Sequence, residues 1–208
     1  MNRSAWPGLA LVAGGACTLL VNAGLTPFLQ ADAPFAVMAA SNVFVWRQSF
    51  WAFAAILLLA GSVGLYESQS GRSGRFGAFA FGFAFFGSAV LLAHEWNQVF
   101  FVHELAGRAP EALESLEAAE GPSLFDLSAI IALSAFTLGW LLFALSQLMA
   151  GVYPRRGPIL VLAGFISIPL LGAVLPNLWG MVVGNIVLAS GWMLLGRQLL
   201  GEERRSSR

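Results

Sequence analysis

Six apolar stretches divide the chain, near residues 7–27, 46–66, 75–97, 124–150, 157–175 and 178–198. Each approaches the roughly 20 residues that a helix needs to cross about 30 Å of hydrocarbon. The segments between them carry charge with one asymmetry. Arg3 precedes the first stretch, Arg72 and Arg75 fall between the second and third, and Arg155 and Arg156 between the fourth and fifth. Arg197, Arg204, Arg205 and Arg208 close the chain. With six spans, all of these fall on one side of a bilayer. The other side receives Asp32 and the acidic segment from Glu104 to Glu120, where Arg108 is the only loop arginine. Basic loops stay in the cytoplasm, so both termini are expected there. A miscount by one span would scatter the arginines over both faces.

Composition supports the same solvent. Of 208 residues, 58% are hydrophobic and 11% are charged, with a mean hydropathy of +0.75. Soluble domains carry about 25% charge, and this chain has too little to cover a water-facing surface. Every basic residue is an arginine. The absence of lysine excludes Schiff-base chemistry, retinal linkage included, and no cofactor is implied. The basic residues are too few and scattered for a nucleic-acid footprint. The expected partners are membrane lipids, a lipophilic small molecule or another membrane protein.

The lone cysteine, Cys17, has no disulfide partner. It reads as a small core residue rather than a lipoprotein site, because Gly14 stands where such sites usually have leucine. The first stretch reads as a retained helix rather than a cleaved signal peptide. No small-x-small site ends it, and the run continues to Leu25 and stops at Pro27.

The loops fit this layout. YESQSGRSGR (66–75) and GVYPRRGP (151–158) read as short cytoplasmic turns, and LPN (175–177) is too short for a domain. The longest connection, about 98–123, faces outside. In it, Pro110 can start a short surface helix with Glu111, Glu114, Glu117 and Glu120 on a wet face. Residues 28–45 are broken by Asp32 and Pro34 and are expected to lie along the outer interface. The expected fold is therefore all-α: a polytopic membrane bundle of six transmembrane helices with one short outer surface helix. A single domain over 1–200 would be followed by a short cytoplasmic tail, 201–208.

Helices in lipid associate through close packing and a few polar contacts. GMVVG (180–184) and the ridge of Ala80, Ala84 and Ser88 supply small residues, read here as packing within the bundle. In GRFGAFAFGFAFFG (74–87) the phenylalanines are expected to face lipid or fill gaps beside glycines. Trp6, Trp46, Trp51, Trp96 and Trp179 sit near span ends, as an interfacial belt requires, whereas Trp140 and Trp192 lie deeper.

Ionisable groups at membrane depth need partners. Arg47 and Glu95 stand at similar depth on neighbouring antiparallel spans, which suggests an ion pair; Arg47 could also snorkel or reach Asp126. Asp126 fits a capping role with Ser123 as N-cap. Both histidines lie in LLAHEWNQVFFVHEL (91–105). At 100° per residue, His94 and His103 point to opposite sides of a helix, so a shared metal is disfavoured. A proton-linked role for His94 with Glu95 stays open, and a helix leaving the membrane fits the stretch best. Asn22, Gln147, Asn177 and Asn185 can make interhelical hydrogen bonds. Asn22 and Asn185, with Trp140, are the candidate lining of a ligand cavity.

NVFVWRQSFWAFAAILLLAGSVGLY (42–66) and LLFALSQLMAGVYPRRGPILVLAG (141–164) resemble an uncharacterised bacterial six-helix membrane family of unknown function. The resemblance implies an inner-membrane protein and brings no activity or catalytic residues. Three functions follow. The first is binding of a lipophilic ligand or a partner protein within the bilayer. The second is a small transporter or channel. The third is an enzyme acting on a lipid or quinone at the outer leaflet, with His94, Glu95, Arg47 and Asp126 for acid–base work.

Overall fold

The structure is a computed structural model that describes residues 5–30, 32–118, 121–175 and 178–206, with the backbone alone at 117 and 202–206. Arg3, Glu120, Asn177 and Arg208, and the side chains of Glu117, Arg204 and Arg205, lie outside the described set. All regular structure among the described residues is helical.

Helix α1 (Trp6–Leu19) begins with proline in its first turn and runs on as a π-helical segment, Leu20–Leu25, and a 3-10 turn, Thr26–Phe28. Helix α2 (Phe35–Ala39) is short, and α3 (Asn42–Asn97) is the longest. After a second π segment, Gln98–Val102, come α4 (His103–Arg108) and α5 (Pro110–Glu117). Three longer helices follow: α6 (Leu124–Ala150), α7 (Arg156–Gly172) and α8 (Trp179–Ser206). Four continuous helical segments are long and apolar enough to cross a membrane: Trp6–Phe28, Asn42–Arg108, Leu124–Ala150 and Trp179–Gly201. Helix α7 is shorter.

The expected polar turn at 66–75 is helical almost throughout. The reversal is confined to Gly74, at φ 56° and ψ −154°, a conformation that glycine adopts without a Cβ penalty. Helix α3 therefore consists of two antiparallel arms. Tyr66 and Phe81 stack across them with ring centroids 4.4 Å apart, where a straight helix would hold them about 22 Å apart.

Counting the arms separately, six rods form a ring in chain order, and α8 closes it against α1. Small residues set the close approaches. A Cβ on Gly139 would meet Ala84 Cα at 2.6 Å, and one on Gly164 would meet Leu188 Cα at 2.6 Å. The GMVVG pair faces α7: Gly180 lies on the backbone of Leu171 and Gly172, and a Cβ on Gly184 would meet Ile168 N at 2.8 Å. The motif thus packs inside the bundle. Among neighbouring pairs of separate helices in the ring, α6 and α7 meet least closely.

Neighbouring rods run antiparallel. Gly8 lies against Leu200, Gly64 against Pro7 and Gly157 against Leu195, and Tyr153 is hydrogen-bonded to Ser68. The start of α1, the Gly74 reversal, the α6–α7 turn and the end of α8 therefore share one end of the bundle. Arg72, Arg75, Arg155, Arg156 and Arg197 lie towards that end, and Arg108 lies at the other.

At the Arg108 end, α2, α4 and α5 form a cap with its own small core of Ala36, Ala39, Phe44, Val102, Ala106 and Leu113. Residues 35–39 and 110–117 are the elements expected at the outer surface, and Leu113 is buried beneath the acidic face of α5. Ser123 and Asp126 form a full capping box at the start of α6, with Ser123 N donating to Asp126 Oδ2 at 2.9 Å.

Candidate functional site

The bundle divides along its axis. Toward the arginine-bearing end, Phe136, Trp140, Phe143, Phe165 and Trp192 make a block of edge-to-face rings, with Trp140 and Trp192 centroids 5.3 Å apart. Small residues line its back: Trp140 Nε1 donates to Ser88 Oγ at 3.0 Å, and Ser88 Oγ donates to the carbonyl of Ala84 at 2.8 Å. Beyond the block, Gln69 Nε2 donates to Ser146 Oγ at 3.1 Å.

On the cap side of the block lies a cavity of about 390 Å³ to which all six rods contribute. Its floor is apolar: Trp51, Leu91, Phe136, Phe165 and Leu188. Its upper wall carries Asn22, Arg47, Gln48, His94, Glu95 and Asn185. Leu133 and Pro169 line it from α6 and α7, and both are also exposed on the outer surface of the bundle. The cavity therefore opens sideways through the seam where those two rods pack least closely.

Irregular helix geometry positions the polar wall. Asn22 sits in the π-helical segment that ends α1, a distortion often found at functional sites. Pro169 stands inside α7 and has no N–H to give the carbonyl of Phe165. Asn22 Nδ2 donates to Thr18 O at 2.9 Å, and Asn185 Nδ2 donates to Met181 O at 2.9 Å. Both amides thus spend a donor on their own helix, not on a neighbouring one as expected. Asn22 Oδ1 is buried without a hydrogen-bond partner among the described residues.

Arg47 is held by the 3-10 turn at Thr26 and by its own helix. Its Nε donates to Thr26 Oγ1 at 2.9 Å and its Nη1 donates to Gln48 Oε1. Glu95 lines the same cavity. No nitrogen–oxygen contact within 4.0 Å joins them; Arg108 and Glu104 form the only such pair among the described residues. The expected ion pair is therefore not formed: the two side chains line one cavity without contact. Glu95 is 5% exposed, and its Oε2 has no hydrogen-bond partner among the described residues.

The two histidines part company. His94 lines the cavity, and its Nε2 accepts from Gln98 Nε2 at 3.1 Å, which puts the proton of the neutral ring on Nδ1. His103 instead uses Nδ1 to donate to the carbonyl of Ala39 at 2.8 Å, pinning α4 to α2 in the cap.

Of the candidate residues, the structure gathers Asn22, Asn185, Arg47, His94 and Glu95 around one cavity. It leaves two elsewhere. Trp140 is wholly buried in the aromatic block beneath the cavity, because its ring points to Ser88 and the second arm of α3. Asp126 caps α6 and bonds to Ser123, not to Arg47. Sequence reasoning missed Thr26 and Gln48, which hold Arg47, and placed Trp51 in the interfacial belt although it forms part of the cavity floor. Trp6, Trp46, Trp96 and Trp179 are exposed as a belt requires.

No family model, curated protein or solved structure matches the chain.

Proposed function

We propose that the chain is a six-pass protein of a bacterial inner membrane, with both termini in the cytoplasm, that binds a lipophilic molecule in the cavity beneath its outer cap. Helix α3 crosses twice by reversing at Gly74, and α7 completes the count. The shared end of Arg72, Arg75, Arg155, Arg156 and Arg197 supports the orientation. The observation that carries the binding function is the sideways mouth. A cavity with an apolar floor, a polar upper wall and an opening between exposed Leu133 and Pro169 admits an amphipathic molecule from the bilayer without passing through water.

Transport has weaker support, because the block of Trp140, Phe143 and Trp192 separates the cavity from the polar groups at Gln69 and Ser146. One observation favours acid–base chemistry as a second reading: His94, Glu95 and Arg47 converge on the cavity. Asp126 takes no part in that reading.

Native mass spectrometry of the protein purified in mild detergent tests binding. The expected result is a co-purifying small molecule that is lost from Leu133→Trp, which fills the mouth. A protein that emerges alone overturns the reading. Recovery of the molecule chemically altered after incubation with the protein would favour the enzymatic alternative.

A further inference from the structure

Arg47 and Glu95 both line the cavity without touching each other, and each keeps unspent hydrogen-bonding capacity. We infer that the cavity takes the head group of a zwitterionic amphipath, with an anionic phosphate against Arg47 and a primary ammonium against Glu95. This inference rests on the lipophilic-binding reading and names the class of ligand.

The balance of donors and acceptors selects that chemistry. Two nitrogens of Arg47 are engaged by Thr26 and Gln48, which leaves Nη2 for an anion. Among the other groups lining the cavity, His94 Nδ1–H is an unspent donor and two side-chain oxygens are unspent acceptors. Glu95 Oε2 and Asn22 Oδ1 are buried without partners among the described residues, and Pro169 has no N–H to offer the carbonyl of Phe165. Buried acceptors without donors are costly, a carboxylate most of all. A primary ammonium brings three N–H donors and the charge that Glu95 requires.

The alternatives fit less well. A purely anionic head would bring like charge to Glu95 and leave the acceptors unserved. A lone cation would meet Arg47. A quaternary ammonium has the right charge and no N–H to donate. The cavity volume of about 390 Å³ suits a head group and not whole acyl chains. The chains would leave through the α6–α7 mouth, where Leu133, Ile166 and Leu170 are exposed apolar side chains.

The test is competition in native mass spectrometry of the full-length protein. Phosphatidylethanolamine, phosphatidylcholine and phosphatidylglycerol with identical acyl chains are supplied at equal concentration. The expected result is a preference of about tenfold for phosphatidylethanolamine, the size of one charge-assisted hydrogen bond. Glu95→Gln, which keeps shape and removes charge, is expected to abolish that preference while lipid still binds. The wild-type preference decides the matter even if that variant fails to fold. Soluble glycerophosphoethanolamine at the same concentration is expected to leave the lipid in place; displacement would overturn the lipid as source of the head group. Equal binding of the three lipids, or preference for phosphatidylglycerol or phosphatidylcholine, overturns the inference and leaves lipid binding standing. Absence of any bound lipid overturns both.

Discussion

Arg47 Nε donates to Thr26 Oγ1 across 2.9 Å, and the same hydroxyl donates onward to the carbonyl of Val21 at 3.0 Å. One buried threonine thus holds the cavity arginine and closes the π-helical end of α1. Hydrogen bonds to charged groups contribute about 1.5–3 kcal/mol. Thr26→Val is expected to destabilise the protein by about 2 kcal/mol, read as a lower melting midpoint in detergent, and to weaken ligand retention. Thr26→Ser, which keeps the hydroxyl, should restore both.

The second arm of α3 lies on α6 with no room for a side chain at Gly139, where a Cβ would sit 2.6 Å from Ala84 Cα and 2.7 Å from Phe83 O. Gly82, on the same arm, has open space around it. Gly139→Ala must move backbone and is expected to cost about 1–3 kcal/mol. Gly82→Ala should leave stability unchanged or raise it by up to about 1 kcal/mol. Melting curves of the two single variants, measured side by side, check the contrast.

Trp140 gives its indole N–H to Ser88 Oγ inside the aromatic block. Interhelical hydrogen bonds in membranes average about 0.6 kcal/mol, and an unpaired buried donor costs more. Ser88→Ala should therefore destabilise by about 1 kcal/mol and shift the tryptophan emission spectrum. Ser190→Ala is the control: Ser190 is exposed, and its hydroxyl bonds only to its own helix. That change should do neither.

These residues show which parts of the molecule are legible in the sequence. The Ser123–Asp126 cap, the helix opened by Pro110 and the arginine asymmetry are written in neighbouring residues or in a chain-wide pattern, and the described residues are arranged accordingly. Depth along a helix brought Asn22, Arg47, Glu95 and Asn185 to one level. Depth does not fix rotation about the helix axis, and so Trp140 was expected on the cavity although it points away. The serine- and glycine-rich composition of 66–75 suggested a loop. Flanking helices carried the helical conformation through it until Gly74, where φ turns positive. Thr26 is 21 residues from Arg47 in sequence, and no local pattern announces their bond. The π segment holding Asn22 likewise has no compositional mark.

The central claim is that the chain threads a membrane with its arginine-bearing turns inside and its acidic cap outside. A Cys17→Ala background carrying single cysteines answers it directly. Ser70→Cys is exposed beside the Gly74 reversal, and Ser115→Cys is exposed on α5. In sealed right-side-out vesicles, a membrane-impermeant maleimide should label position 115 at once and position 70 only after permeabilisation. Labelling of both positions from the outside, or recovery of the protein in the soluble fraction, would contradict the account.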